Sequence, residues 1–308
     1  VTIEPTVALK ATPRTAEGSW EARPGPMAAG WKLDAVMPTL TEKAVGWIKQ
    51  RKDSKQPFFL YFPFTSPHAP IVPTKQFVGK SQAGGYGDFV VQTDDTVGQV
   101  LTALRESGLE ENTIVIFSAD NGPEHYAYER IKRFDHRSTG PLRGLKRDIW
   151  EGGHRVPMIV RWPGKVAADS VSKALVSQVD VYATLAAAIG AEIPATAADD
   201  SYNQLPVWTQ KGESPRHTIV HNTQPKGYAL RHDHWVLIAT KSGAVSKVPD
   251  WFNTQFGYDK NSQPGELYDL SQDVAQHKNL YAEMPEKVAE LQALLNDTRA
   301  QGQVRNRQ

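Results

Sequence analysis

The feature that most constrains the fold is the apolar run at residues 113–119, which ends in Asp120-Asn121-Gly122. A short apolar run bounded by turn residues is typical of a buried strand. In an open α/β sheet, ligands bind just beyond the carboxyl ends of the strands. A carboxylate beside an amide oxygen suits Ca²⁺ or Mg²⁺ rather than a soft metal. Because Asn-Gly is also a common turn sequence, the tripeptide alone favours a turn over a metal site.

Composition excludes several classes of protein. The chain has 308 residues, enough for a large domain or a large and a small one. Its 35 basic and 34 acidic residues give a net charge of +1 without a basic stripe, which argues against a nucleic-acid partner. No apolar stretch approaches the ~20 residues of a membrane span. The absence of cysteine excludes disulfides, thiolate metal sites and a cysteine nucleophile within these residues.

Helical and strand-like patterns alternate in the first two thirds of the chain. Strand-like apolar runs occur at 57–62, 113–119 and 156–162, and Pro157 restricts the last to a strand start or an edge. Helical patterns occur from the capping-box sequence Thr39-x-x-Glu42 to about residue 52, at 89–104 before Gly108, and at 176–189 before Gly190. This alternation predicts an α/β fold with a mostly parallel central sheet sandwiched by helices.

The pattern changes after a segment rich in Ala, Asp, Pro and Ser at residues 191–215, so we place a domain boundary there, between a domain at 1–195 and a domain at 196–308. Short strands are predicted at 217–221, 228–231 and 235–239, with a hairpin turn at His232-Asp233. Pro285 opens a helix with apolar residues on one face. The second domain is therefore predicted as a small antiparallel sheet packed by one helix.

Two further segments carry polar residues where chemistry is plausible. In Ser66-Pro-His-Ala-Pro70, two prolines hold His68 on a stiff loop after a predicted strand, although a plain surface histidine explains this segment better when it is taken alone. In the glycine-rich segment 140–157, Lys146 is a cation suited to a sulfate or phosphate oxygen. For Glu151 and Arg155 in that segment, we favour a structural ion pair.

Taken together, these segments describe a pocket with a hard divalent cation, a lysine and a histidine. Such a pocket suits an ester whose transferred group is a tetrahedral oxyanion, because the cation and the donors stabilise charge that develops on its oxygens.

Four segments in order resemble the formylglycine-dependent sulfatases, the arylsulfatase family of the alkaline-phosphatase-like superfamily. They are Ser-Pro-His-Ala-Pro at 66–70, the strand and tripeptide at 112–122, the segment Gly-Leu-Lys to Arg-Val-Pro at 144–157, and Glu-Leu-Tyr-Asp-Leu to Asn-Leu at 266–280. The resemblance implies hydrolysis of aryl or carbohydrate sulfate esters. It also implies an alkaline-phosphatase-like fold, of which residues 1–195 would be the C-terminal portion of the large domain, and a bacterial periplasmic or secreted location.

The resemblance also implies a role for individual residues. Asp120 and Asn121 would bind one Ca²⁺, or Mg²⁺. Lys146 would bridge the sulfate, and His68 would hydrogen-bond the sulfate or protonate the leaving group. His125 would line the substrate pocket.

The chain departs from the family pattern at the nucleophile. It has no Cys- or Ser-x-Pro-x-Arg sequence for formylglycine formation and no early Asp-Asp pair, and Asp94-Asp95 lies within a predicted helix. The resemblance therefore implies that the formylglycine nucleophile and the remaining metal ligands, as well as any signal peptide, belong to a missing N-terminal segment. That segment would be a required partner, and these residues alone are expected to be inactive and to expose a sheet edge.

Two alternatives stay open at this point. One is a phosphodiester or phosphonate hydrolase on the same fold, and the other is a non-catalytic remnant that binds sulfated glycans. The identity of the nucleophile would separate the first alternative from a sulfatase, and binding without turnover would support the second.

Overall fold

The computed structural model describes residues 3–7, 25–194, 196–224 and 227–303. The chain divides into two compact units, the first comprising Val1–Thr113 with Tyr126–Ser138 and the second comprising Ile114–His125 with Thr139–Gln308. These divisions fall at other positions than the boundary predicted between residues 195 and 196, which stays a prediction.

The described residues of the first unit form one strand pair and three helices. Strands β1 (Ile3–Val7) and β2 (Gly25–Ala28) pair antiparallel. The helices are α1 (Val36–Lys49), α2 (Gly84–Glu106) and α3 (Ala127–Phe134), with short 3-10 turns at Leu33–Ala35 and Glu110–Asn112. The helix predicted at 89–104 is confirmed, and Gly108, with φ of +68°, follows its end.

Helices α1 and α2 pack through an apolar cluster and a pair of buried hydroxyls. Met37, Ile71 and Phe89 form the buried cluster, and the Oγ1 atoms of Thr41 and Thr96 lie 3.1 Å apart. The helix predicted from Thr39 is confirmed, but it begins three residues earlier, at Val36, and no side chain caps it. The capping-box prediction is therefore wrong, because tertiary packing of Met37 extends the helix beyond the local capping signal.

The strand predicted at 57–62 is wrong. These residues form no strand ladder. Phe59 and Tyr61 are 76 % and 77 % exposed, whereas the alternate residues Phe58, Leu60 and Phe62 are half-buried. The alternation is that of an extended segment with one covered face. Apolar content predicts extended backbone, but a strand also requires a neighbour with which to exchange hydrogen bonds, and the described residues supply none here.

The second unit begins with a two-stranded sheet. Strands β3 (Val115–Ser118) and β4 (Met158–Arg161) confirm the strands predicted at 113–119 and 156–162. They pair antiparallel, with Val115 opposite Arg161 and Ser118 opposite Met158. Every strand pair among the described residues is antiparallel, so the predicted parallel pairing is wrong for this part of the chain. Apolar runs indicate burial on both faces, but they do not specify strand direction.

The other described residues of the second unit include a four-stranded antiparallel sheet and five helices. The sheet order is β5 (Thr218–Gln224), β6 (Gly227–His232), β7 (Trp235–Ile238) and β8 (Glu266–Asp269). The helices are α4 (Glu151–His154), α5 (Asp180–Ile189), α6 (Leu205–Trp208), α7 (Asp250–Phe256) and α8 (Pro285–Gln301). In the described part of the chain, no helix has the length and apolar composition needed to cross a membrane.

The four-stranded sheet is buried on both faces. One face packs Leu230, Leu237 and Leu267 against α8 through Leu291 and Leu295. The other face packs four residues against the segment that precedes α4, namely Ala229, Val236, Ile238 and Tyr268 against Ile149 and Trp150. The predicted small antiparallel sheet, its β6–β7 hairpin and its packing helix at Pro285 are confirmed, although the hairpin turn lies at Asp233-His234, one residue later than predicted. Through Ile149 and Trp150, the sheet thereby supports the segment that contains Lys146.

Candidate functional site

Asp120 and Asn121 stand side by side at the end of β3 with oxygen atoms that are not used elsewhere. Asp120 is exposed, and no described residue forms a hydrogen bond or ion pair with its carboxylate. The Asn121 amide donates from Nδ2 to the Gly122 carbonyl at 3.1 Å, which leaves Oδ1 available. The two side chains thus offer adjacent hard oxygen donors, as a Ca²⁺ or Mg²⁺ ion requires.

Close backbone packing holds this tripeptide against the segment around α4. The Gly122 N–H donates to the Gly153 carbonyl at 2.9 Å. A Cβ at Gly122 would lie 1.9 Å from the Gly152 carbonyl oxygen, and a Cβ at Gly152 would lie 2.2 Å from the Gly144 carbonyl oxygen. The three glycines therefore allow three backbone segments to approach within a distance that any side chain would prevent.

We expect Gly122→Ala to lower the free energy of unfolding by about 1–3 kcal/mol, because the clashing atom belongs to the backbone and cannot rotate away. Urea unfolding followed by circular dichroism measures this. Gly46→Ala in α1, where no atom lies within 4 Å of the new Cβ, is the matched control and should be neutral or stabilising. Equal urea midpoints for Gly122→Ala and the wild type would contradict the packing argument.

Lys146 lies in a tight turn that is attached to the tripeptide segment. The Lys146 N–H donates to the Pro123 carbonyl at 2.9 Å, and the Ser246 hydroxyl donates to the Lys146 carbonyl at 3.2 Å. Lys146 itself is half-buried. The backbone bond to Pro123 brings this lysine to the segment that carries Asp120 and Asn121, so the structure brings these predicted site residues together.

Asp148 organises the turn from within the protein. This residue is only 3 % exposed, and its carboxylate accepts hydrogen bonds from the backbone N–H groups of Leu145 at 2.9 Å, Val245 at 2.8 Å and Ser246 at 2.9 Å. Burial raises the pKa of Asp148, and the three hydrogen bonds oppose that rise. The sequence analysis missed this role, although an aspartate two residues after a candidate lysine in a glycine-rich loop was a usable signal.

Glu124 joins the turn to His125. Its carboxylate accepts hydrogen bonds from Arg147 Nη1 at 3.0 Å, from Arg147 Nη2, from the His125 N–H at 2.8 Å and from His125 Nδ1 at 2.9 Å. Burial raises the pKa of Glu124, but these hydrogen bonds outweigh it and lower the pKa to about 2. His125 is thus held beside the Lys146 turn, with its Nδ1 directed at a carboxylate.

The pairing of Glu151 with Arg155 is structural, as expected. Glu151 is 1 % exposed, and its Oε2 accepts hydrogen bonds from Arg155 at 3.3 Å and from Arg231 at 3.1 Å. A buried carboxylate that is held by two guanidinium groups joins α4 to β6.

His68 belongs to the first compact unit, whereas Asp120, Asn121, His125 and Lys146 belong to the second. It is exposed on the loop 66–70, and its Nδ1 lies 2.6 Å from the Ala69 carbonyl oxygen. Because a carbonyl accepts, Nδ1 carries the proton, and neutral His68 has its lone pair on Nε2. The predicted role of His68 in sulfate binding stays a prediction.

Two histidines that the sequence analysis missed pack together at the carbonyl of Ile149, three residues after Lys146. The rings of His154 and His221 lie 4.0 Å apart, and their Nε2 atoms lie 2.9 and 3.2 Å from the Ile149 carbonyl oxygen. Both rings must donate to this oxygen. Burial lowers the pKa of both, and burial with the neighbouring His154 lowers the pKa of His221 to about 3. The charged groups that face the pair are Glu151, Arg155 and Arg231.

We expect the free energy of unfolding to fall by about 2 kcal/mol between pH 7 and pH 5 because of His221 alone. A histidine whose folded-state pKa is lowered stabilises the protein above its ordinary pKa near 6.5, and this stabilisation is lost as the pH falls towards about 3. Urea unfolding at both pH values measures the loss. His221→Gln should reduce it, whereas His217→Gln, at a mostly exposed side chain, should not. Equal losses in wild type and His221→Gln would refute this.

Comparison with known proteins identifies the family. The family model described as Sulfatase matches residues 27–191, more than half of the chain. The chain belongs to the sulfatase family. A second model, described as the C-terminal region of N-sulphoglucosamine sulphohydrolase, matches residues 145–303. The phosphodiester or phosphonate alternative is not favoured by these matches.

Among similar proteins, an N-acetylgalactosamine-6-O-sulfatase of Bacteroides thetaiotaomicron is 35 % identical over 281 residues, which cover 89 % of this chain and 53 % of the relative. The N-acetylgalactosamine-6-sulfatase of Homo sapiens is 37 % identical over 169 residues, which cover 55 % of this chain and 31 % of the relative. The chain thus spans about half the length of the Bacteroides relative.

A solved structure from a study of glycosaminoglycan metabolism by Bacteroides thetaiotaomicron superposes with a TM-score of 0.77 at 31 % identity, covering 97 % of this chain and 64 % of that one. The predicted alkaline-phosphatase-like α/β class is confirmed by this likeness.

Proposed function

We propose that this chain carries the metal-binding and sulfate-binding residues of a sulfatase that hydrolyses carbohydrate sulfate esters. One observation carries the proposal. The hydrogen bond from the Lys146 N–H to the Pro123 carbonyl joins a cationic side chain to the segment that presents the oxygen donors of Asp120 and Asn121. The lysine ammonium group and a divalent cation bound by these oxygen donors would together complement the negative charge of a sulfate ester.

The donor chemistry at the end of β3 fits a hard divalent cation. Asp120 offers an uncommitted carboxylate and Asn121 an amide oxygen. Ca²⁺ takes 6–8 oxygen ligands, so two residues would supply only part of its coordination. Among the described residues, no group of three or more His, Cys, Asp or Glu side chains is placed to hold a metal. On the chemistry of their oxygen donors, we assign Asp120 and Asn121 as two of the ligands of one Ca²⁺ or Mg²⁺ ion, which would polarise the sulfate oxygens when bound.

Lys146 would bind a sulfate oxygen through its ammonium group. Its backbone N–H donates to Pro123 and its carbonyl accepts from Ser246, so the backbone from which the side chain extends is fixed. A compact point charge at this position neutralises negative charge that grows on the leaving oxygen as the ester bond breaks. Because Nδ1 of His68 donates to the Ala69 carbonyl, His68 would use a protonated Nε2 to donate a hydrogen bond to the same group or to protonate the leaving oxygen. His125 would contact the sugar.

We infer that the substrate is a sulfated amino sugar, because the proteins similar to this chain include N-acetylgalactosamine-6-sulfatases from a bacterium and a mammal. An N-acetylgalactosamine 6-sulfate unit of a glycosaminoglycan is the specific candidate. A periplasmic or secreted location is consistent with such an extracellular polymer.

The nucleophile of the proposed reaction is not found in this chain. The 308 residues contain no cysteine and no Ser-x-Pro-x-Arg sequence. Of the residues described here, we assign none to the formylglycine role, and the covalent route requires a nucleophile. The proposal therefore includes an N-terminal sulfatase segment as a partner.

We expect the 308-residue chain alone to show no hydrolysis of 4-nitrophenyl sulfate above buffer. A chimera that carries the preceding segment of the Bacteroides relative, with its formylglycine formed, should hydrolyse it. Lys146→Ala in the chimera should lower kcat/KM by about 10²-fold or more. Release of 4-nitrophenol, followed by absorbance, measures all three. Turnover by the chain alone, or a chimera that is unaffected by Lys146→Ala, would overturn the proposal. Binding of a sulfated glycan with an inactive chimera would instead favour the non-catalytic alternative.

A further inference from the structure

The turn that carries Lys146 contains an unfavourable backbone conformation. The Asp148 N–H donates to the Leu145 carbonyl at 2.8 Å, which closes a four-residue turn with Lys146 and Arg147 in the centre. Arg147 has a φ of +78°. Its position and φ are those of the third residue of a type II turn, a place that glycine or asparagine normally occupies. An arginine in this conformation is strained, which points to a role for its side chain that glycine could not fill.

The Arg147 side chain makes a two-point ion pair with Glu124. Nη1 donates to Oε2 at 3.0 Å, and Nη2 donates to Oε1. Paired parallel hydrogen bonds of this kind fix the relative orientation of the two groups as well as their distance. The same carboxylate also accepts two hydrogen bonds from His125. Glu124 is therefore fixed from two directions, and it is a firm anchor for the turn.

The ion pair connects the same two segments as the backbone bond from Lys146 to Pro123. Pro123 and Glu124 are neighbours, and so are Lys146 and Arg147. Two consecutive residues of the turn are thus attached to two consecutive residues of the segment that follows Asp120 and Asn121. An ordinary surface ion pair contributes little to stability, because solvent screens it and its side chains lose entropy. Stability alone gives no reason to accept strain at Arg147 for such a pair.

We propose that the Glu124–Arg147 ion pair is a positioning clamp that holds Lys146 in register with the Asp120–Asn121 segment. Arg147 is a positioning residue in this proposal, since it acts through Lys146 and does not itself contact the sulfate. The inference rests on the proposed function, in which Lys146 binds the sulfate group.

The test replaces Arg147 by glycine, which relieves the strained conformation and removes the clamp together. In the purified 308-residue chain, Arg147→Gly should leave the thermal midpoint within about 2 °C of the wild type, because strain relief offsets the lost ion pair. Its affinity for inorganic sulfate, measured by NMR titration, should fall about fivefold or more. The amide hydrogen of Lys146 should exchange faster. Arg147→Lys, which retains the charge, should recover part of the sulfate affinity.

The matched control is Asp169→Gly, at an exposed loop residue with a φ of +55°. It relieves the same kind of strain and should change neither sulfate affinity nor Lys146 exchange. Unchanged sulfate affinity in Arg147→Gly, when Lys146→Ala abolishes binding, would overturn the clamp and leave the proposed function standing. If the wild-type chain binds no sulfate, the sulfate-binding role fails for this chain. Amide hydrogen exchange then tests the clamp by itself. Equal exchange rates of the Lys146 amide hydrogen in Arg147→Gly and the wild type would overturn it.

Discussion

Replacing Asp180 by alanine is expected to lower the free energy of unfolding by about 3–5 kcal/mol, because the change leaves a buried guanidinium without its counterion. The side chains of Asp180 and Arg216 are each 2 % exposed. Arg216 Nε donates to Asp180 Oδ2 at 2.9 Å, and Nη2 donates to Oδ1 at 2.5 Å. The carboxylate also accepts from the backbone N–H groups of Ser177 and Tyr202 and from Gln204, each at 2.9 Å. One residue thus links the first turn of α5 to the chain that enters β5.

Denaturant unfolding of the Asp180→Ala chain measures this loss. Glu283→Ala removes the exposed ion pair with Lys278 and is the matched control, with an expected loss of about 0–1 kcal/mol. A double variant that replaces Asp180 and Arg216 by leucine and methionine should recover part of the stability, since it removes both buried charges together. Equal losses for Asp180→Ala and Glu283→Ala would show that the buried pair does not stabilise the protein.

Replacing Asp148 by alanine is expected to lower the free energy of unfolding by about 3 kcal/mol and to abolish sulfate binding at Lys146. The change removes the acceptor of three backbone N–H groups, those of Leu145, Val245 and Ser246. Buried donors without a partner are costly, and the turn then loses the group around which it folds. The stability is measured by urea unfolding and the sulfate affinity by NMR titration.

Asp148→Asn separates the hydrogen bonds from the charge. Its Oδ1 can still accept from Val245 and Ser246, whereas its amide group cannot accept from the Leu145 N–H. Burial raises the pKa of Asp148, so the charge itself is unfavourable there. We therefore expect Asp148→Asn to lose about 1 kcal/mol, well below the alanine variant. An asparagine variant as unstable as Asp148→Ala would indicate that the charge matters more than the hydrogen bonds.

Local patterns predicted the elements that local physics controls. The helix at Pro285, the β6–β7 hairpin and the strands β3 and β4 follow from periodicity and turn chemistry, and each is present. The short helices α6 and α7 were missed, because four to seven residues carry too little periodicity to be recognised. The apolar segment 57–62 failed as a strand for a different reason. Its residues have the composition of a strand, but strand formation depends on a partner elsewhere in the chain.

The candidate site shows the same division. The sequence predicted Asp120, Asn121 and Lys146 as site residues because they follow apolar strands or lie among glycines, where a structural role explains them poorly. Glu124, Arg147 and Asp148 were missed, although their hydrogen bonds hold the turn that carries Lys146. Each is an ordinary charged residue in the sequence, and its role depends on the partner it meets in the folded chain. A residue's type shows what it can bind, and only the fold shows what lies within reach.

The sequence by itself determined the family motifs, the order of the main elements and the residue types that could bind a metal and a sulfate group. Tertiary structure decided that Asp120 and Lys146 share one unit, joined through Pro123. It placed Glu151 in the interior and both His154 and His221 at the Ile149 carbonyl. It also decided that β3 pairs with β4 antiparallel. The physical reason is that side-chain chemistry and local periodicity are encoded residue by residue, whereas hydrogen-bond partners and burial depend on segments that are distant in the chain.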